Sequence, residues 1–117
     1  MLVVAHNFLG SDAPWDISTG SYASKSLSVT AQDAFPEGLA FSADGTKAYI
    51  LGGTNDTIYQ YTLSTPWDIS TGSYASKSLS VTAQETGPRG LAFSSDGTKA
   101  YIVGANNDTI YQYTLSY

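Results

Sequence analysis

Few side chains in this sequence can do chemistry. The 117-residue chain holds one histidine (His6), ten acids, five bases, two tryptophans and no cysteine. Without cysteine there is no disulfide scaffold, thiol nucleophile or Cys-based zinc site, and one histidine cannot supply the three or four ligands zinc needs. A Ser-His-Asp triad would rest on His6 alone, with no Gly-x-Ser-x-Gly elbow to support it. Asp44-Gly45-Thr46-Lys47 lacks the Gly-Lys-Ser/Thr ending of a phosphate loop. No segment spaces its acids as a calcium loop does. Asp44, Asp96, Asp16, Asp56, Asp68 and Asp108 read as turn formers whose carboxylates bond their own loops. No catalytic residue, metal site or cofactor is therefore expected.

The remaining candidates are for binding. Asp33, Glu37 and Glu85 occupy corresponding loops, where two acids about 5–10 Å apart would suit glycoside hydrolysis. A solvated acidic rim is the simpler reading. Trp15 and Trp67 offer indole faces for sugar rings, with Phe35, Arg89, Asn55 and Asn107 in the neighbouring loops as further ligand contacts. The alternative is that each indole packs under its own Pro-led loop. The pairs Tyr59/Tyr61 and Tyr111/Tyr113 each fall on one strand face, as a packing surface or a binding platform. Asn55-Asp56-Thr57 and Asn107-Asp108-Thr109 match the glycosylation acceptor triplet, but a turn accounts for them equally. A formal charge of −5 and a pI near 4.3 exclude nucleic-acid and anionic-membrane partners. The longest apolar run, residues 2–5, cannot span a bilayer, so no membrane insertion is expected. Residues 1–10 carry no basic leader or small-residue cleavage pattern, so no signal peptide is expected.

The elements that position these residues come from a repeat. Residues 14–64 align without gaps on residues 66–116, and only eight of the 51 positions differ. The chain divides into a non-repeat segment, 1–13, and two repeats, 14–65 and 66–117. Within each copy the pattern is that of strands. Residues 23–31 alternate strictly, with Leu27 and Val29 on one face and small hydroxyls on the other, as in a half-buried outer strand. Residues 38–42 form a short apolar strand, Asp44-Gly45 a tight turn, residues 47–51 a strand, Asn55-Asp56 a turn, and residues 57–64 a strand. No 3.6-residue period is sustained, so essentially no helix is expected.

Four antiparallel strands per unit of about 50 residues is the blade of a β-propeller. The run Pro36-x-Gly38-Leu39-Ala40-Phe41-Ser42-x-Asp44-Gly45-x-x-x-Tyr49-Ile50, followed by Asn55-x-Thr57-Ile58, resembles the YVTN family of propeller repeats. The second copy matches at Pro88, Gly90, Leu91, Ala92, Phe93, Ser94, Asp96, Gly97, Tyr101, Ile102, Asn107, Thr109 and Ile110. Gly52 and Gly104 stand where the family's naming Asn would be, and the Pro-Trp-Asp-Ile-Ser connection lengthens the repeat. The whole repeat is similar to tandem repeats of phage and bacterial surface proteins, which implies an extracellular, virion or cell-surface setting.

Two blades cannot stay alone, because each end face would leave apolar side chains bare. The expected architecture is all-β: a propeller of four-stranded antiparallel blades, two per chain, its ring closed by homo-oligomerisation. Residues 74–83 complete the first sheet, while the second lacks an outer strand and residues 22–31 go unused. Pairing between chains would bring Tyr22, Ser24, Ser26, Leu27 and Val29 against Thr109, Ile110, Tyr111 and Tyr113 of a neighbour. Two blades per chain allow only even rings; six blades as a trimer is favoured, eight as a tetramer next, and four as a dimer last. Seven of the eight differences between copies fall at one end of the strands, which marks a binding face or a tolerant one. The function expected is a non-catalytic, self-assembling module with lectin-like glycan or surface binding. The alternatives are a structural or engineered symmetric repeat without a ligand, and more remotely a hydrolase using rim carboxylates.

Overall fold

The computed structural model describes residues 14–116; the readings on His6 and on residues 1–13 lie outside them. Among the described residues the fold is all-β, with no α-helix and two antiparallel sheets. The first sheet is β1 (Pro36–Phe41), β2 (Lys47–Gly52), β3 (Thr57–Leu63) and β4 (Gly72–Ser80), in that spatial order. The second is β5 (Pro88–Phe93), β6 (Lys99–Gly104) and β7 (Thr109–Thr114). Single 3-10 turns at Ile17–Thr19 and Ile69–Thr71 are capped by Asp16 and Asp68, which accept from the Ser18 and Ser70 amides.

The β1–β2 turn shows why these hairpins form. Gly45 takes φ 75°, in the left-handed region that suits glycine. The Asp44 Oδ1 accepts from the Thr46 amide at 3.0 Å and from the Thr46 and Ser42 hydroxyls at 2.7 and 2.9 Å. Those bonds, the Thr46 amide foremost, hold the Asp44 carboxyl down at about 2; Asp96 repeats the arrangement and the value. Asp56 departs from the turn-bonding pattern, since its Oδ1 is buried without a hydrogen-bond partner.

Alternation along β2 and β3 gives the first sheet two apolar faces. Ala48, Ile50, Tyr59, Tyr61 and Leu63 share one, against which Leu27, Val29, Phe41 and Ile69 pack. Leu51 and Ile58 share the other and meet Val81 and Ile102, so the two sheets bury a common core. The sheets approach closely at their first strands, where a Cβ on Gly38 would lie 3.4 Å from the Leu91 amide nitrogen.

The outer strand is where expectation and structure differ. β4 pairs with β3 through a two-residue bulge at Ala75 and Ser76, with Ser76 at φ 59°. It starts earlier than residues 74–83, with Gly72 paired to Leu63, and ends earlier because the Gln84 and Glu85 amides both donate to the Val81 carbonyl and turn the chain. Its counterpart, residues 22–31, joins no sheet.

Candidate functional site

Asp33 and Glu85 do not form a solvated rim. They are 2% and 1% exposed, each clamped by backbone amides. Asp33 accepts from Phe35 N at 2.9 Å, Thr54 N at 3.1 Å and Asn55 N at 2.9 Å. Glu85 accepts from Gly87 N at 3.0 Å, Asn106 N at 3.1 Å and Asn107 N at 3.3 Å. Burial raises the Asp33 pKa, but the amides of Phe35, Asn55 and Thr54 together more than reverse this and leave it below 3.8. A Cβ at Gly52 would fall on the Asp33 carboxylate, and one at Gly104 on that of Glu85. Gly52 and Gly104 are therefore what make room for the buried acids.

The same loops use the other expected polar contacts structurally. The Asn55 Nδ2 donates to the Gln32 carbonyl at 3.0 Å and the Tyr59 hydroxyl at 2.9 Å. Asn107 repeats this with Gln84 and Tyr111, both at 3.0 Å. The Tyr61 hydroxyl donates to Gln32 Oε1 at 2.7 Å, and burial pushes its pKa up to about 12. Tyr113 donates to Gln84 Oε1 at 2.8 Å. Sequence reasoning missed Gln32 and Gln84; both copies carry them, but so do they carry nearly everything else.

Differences between the copies cluster around this clamp and repack together. Asn106 Nδ2 donates to the Thr86 hydroxyl at 2.7 Å, a bond that Thr54 and Ala34 in the first copy cannot make. Gly87 leaves space for that Asn106, since a Cβ there would lie 2.9 Å from Asn106 Oδ1. Phe35, the first copy's counterpart of Gly87, stays exposed. Glu37 and Arg89 are brought together across β1 and β5, with Arg89 NH1 3.6 Å from Glu37 Oε1.

The second cluster is defined by what the second sheet lacks. β7 has a partner only on its β6 side, so its other edge is open among the described residues. Ile58 and Leu63 are 6% and 2% exposed, whereas their counterparts Ile110 and Leu115 are 71% and 37% exposed. Residues 22–31 repeat two backbone features of the β4 segment without being paired. Ser24 takes φ 59°, as Ser76 does, and Gln32 N and Asp33 N donate to the Val29 carbonyl as Gln84 and Glu85 do to Val81. Leu27 and Val29 lie against the first sheet's outer face, while Lys25 Nζ donates to Asp68 Oδ2 at 2.7 Å.

The tryptophans differ in the same way. Trp67 packs on Phe41 with ring centroids 5.4 Å apart, donates its amide to the Gly45 carbonyl at 2.9 Å, and covers Gly45 so closely that a Cβ there would strike the indole. Trp15 has the same left-handed backbone, φ 70° against 64°, but its side chain is fully exposed. Gly97, the counterpart of Gly45, has nothing within 4 Å of its Cβ position.

Among the described residues no cluster of three or more His, Asp or Glu is placed to hold a metal ion, and no helix is long and apolar enough to cross a membrane. No protein-family model matches the chain, and no curated protein is significantly similar to it.

Proposed function

We propose that this chain is a non-catalytic interaction module that assembles with copies of itself into a closed β-propeller ring, two blades per chain. The observation that carries the reading is the mismatch, among the described residues, of four strands against three: one open edge at β7, and a repeat of the outer-strand sequence, residues 22–31, that joins no sheet. The two end faces differ, so copies meet head to tail, and such contacts either close into rings or run on as fibres. Closure removes the sheet edge and both apolar faces at once. The resemblance of the Pro-x-Gly-Leu-Ala-Phe-Ser-x-Asp-Gly run to propeller repeats supports a ring, and six blades from three chains is the favoured size. Native mass spectrometry tests this: a trimer has three times the 12.4 kDa chain mass, and a tetramer four times. A monomer throughout the micromolar range overturns it.

A second reading, glycan binding, is favoured by the exposure of both indoles, with Trp67 60% exposed even where it packs on Phe41. A ring would repeat weak sites around its axis and gain avidity. A glycan array probed with the assembled protein and giving no hits removes this reading and leaves the assembly untouched.

A further inference from the structure

Every contact that residues 66–80 make with the first sheet has a vacant counterpart on the second. The repeat spacing of 52 residues therefore defines a set of contacts that no described residue of the same chain supplies. Trp67 seats on Gly45 and Phe41; Gly97 is uncovered and Trp15 unseated. β4 lines the edge of β3; the edge of β7 is open and residues 22–31 are unpaired. Lys25 holds Asp68, whereas neither Lys77 nor Asp16 has a partner of opposite charge within ion-pair distance among the described residues.

We infer that the ligand of the second sheet is residues 15–28 of another copy, held in one register with Trp15 as its anchor. This rests on the self-assembly proposed above and specifies its contact. The observed β3–β4 pairs Thr57↔Ser80, Tyr59↔Ser78 and Tyr61↔Tyr74 become Thr109↔Ser28, Tyr111↔Ser26 and Tyr113↔Tyr22 between chains. Ser24 already holds the left-handed φ that Ser76 takes in the β3–β4 bulge, which favours this register over slippage. Trp15 lies over Gly97 and Phe93, its amide donating to the Gly97 carbonyl, and Asp16 meets Lys77. The occupant is a second copy because Trp15, Ser24 and the turn after Val29 already hold the backbone conformation of Trp67, Ser76 and the turn after Val81, which are seated on the first sheet. Binding then orders little new backbone.

Cysteines at Ser28 and Thr109 read the register directly, since the chain has no other thiol. The Val81 amide donates to the Asp56 carbonyl, so the adjoining Thr57↔Ser80 pair is of the non-hydrogen-bonded kind. Such pairs have Cα atoms about 4.5 Å apart, within disulfide range. Oxidised S28C/T109C protein is expected to link chain to chain into covalent multimers, while the off-register pair S26C/T109C does not. The companion variant is Gly97→Asn. Asn tolerates the left-handed backbone and its Cβ meets nothing in the free chain, so the fold survives. Loss of the Trp15 seat is expected to weaken association roughly 30-fold, as for one hot-spot contact. A ring seen by native mass spectrometry without the S28C/T109C link, or with a link inside one chain, overturns this register and leaves self-assembly standing. Unaltered association of Gly97→Asn overturns the Trp15 anchor. A wild-type protein that stays monomeric overturns both the inference and the reading beneath it.

Discussion

Removing the carboxylate of Asp33 tests the clamp at the core of each repeat. Asp33→Ala leaves the amides of Phe35, Thr54 and Asn55 without the acceptor they share at 2.9, 3.1 and 2.9 Å. A hydrogen bond to a charged group contributes about 1.5–3 kcal/mol. The residues carrying the three amides are themselves exposed, so water replaces part of what is lost. The expected destabilisation is about 3–5 kcal/mol, large against total stabilities of about 5–15 kcal/mol. Asp33→Asn keeps one acceptor oxygen and is expected to lose about half as much. Urea unfolding at one fixed protein concentration measures the change, because the proposed self-association would make stability depend on concentration. Hydrogen exchange at the Thr54 and Asn55 amides locates it. A loss below about 1 kcal/mol with unchanged exchange at both amides refutes the clamp as a source of stability. The pH dependence has a defined sign. Because the amides outweigh burial and hold the Asp33 pKa below 3.8, its contribution is complete above that pH and disappears as pH falls through the folded value.

Asp44 and Asp96, held at about 2 by the Thr46 and Thr98 amides and the neighbouring hydroxyls, stabilise their turns fully above pH 3.8. An acid titration followed by aromatic circular dichroism should show loss of that stability between about pH 4 and pH 2, and Thr46→Val should shift the loss upward. Gly52→Ala drives a methyl into the Asp33 carboxylate and should destabilise by about 1–3 kcal/mol in urea unfolding, as overpacking does. Leu63→Ala should cost about 2–5 kcal/mol at any protein concentration. Leu115→Ala should cost less in dilute solution, where Leu115 is 37% exposed, and approach the Leu63 value as chains associate.

The strands and tight turns were legible in the sequence because their causes are local. The Asp-Gly and Asn-Asp turns bracket residues 47–51, β-branched and aromatic side chains mark residues 57–64, and Asp-Gly marks a left-handed glycine that the structure places at φ 75° and 74°. The clamp was not legible, because two of its three amides come from residues 21 and 22 positions away from Asp33, and an acid in a loop ordinarily faces water. Gly52 and Gly104 read as losses of a family residue, whereas in space they are the vacancies into which the acids fit. The strand pattern of residues 22–31 was legible; its lack of a partner follows from strand order, which was also legible once the repeat boundaries were fixed. The seat of Trp67 on Gly45 was not, since those residues lie 22 positions apart and share no periodicity.

The eight differences between the copies then acquire a physical sense beyond tolerance. Five of them, at positions 33/85, 34/86, 35/87, 53/105 and 54/106, lie in or beside the clamp, and three of these, 34/86, 35/87 and 54/106, compensate one another. A sixth, Glu37/Arg89, sets opposite charges 3.6 Å apart on neighbouring first strands. Were both copies alike there, two acids or two cations would face each other instead, and like charges in contact oppose docking. On the proposed ring, the step from β5 to the next chain's β1 repeats the step from β1 to β5, so the alternation continues around the axis. Alternation closes without a mismatch only when the number of blades is even, which two blades per chain guarantee. An exposed pair of this kind contributes only about 0–1 kcal/mol, so it does not drive assembly. Its effect is selective: it favours head-to-tail neighbours in which β5 meets β1, and disfavours partners that would set two first copies or two second copies side by side. On the proposed ring the burial that drives association lies elsewhere, in Ile110, Val103 and Leu39, apolar side chains that the single chain leaves exposed.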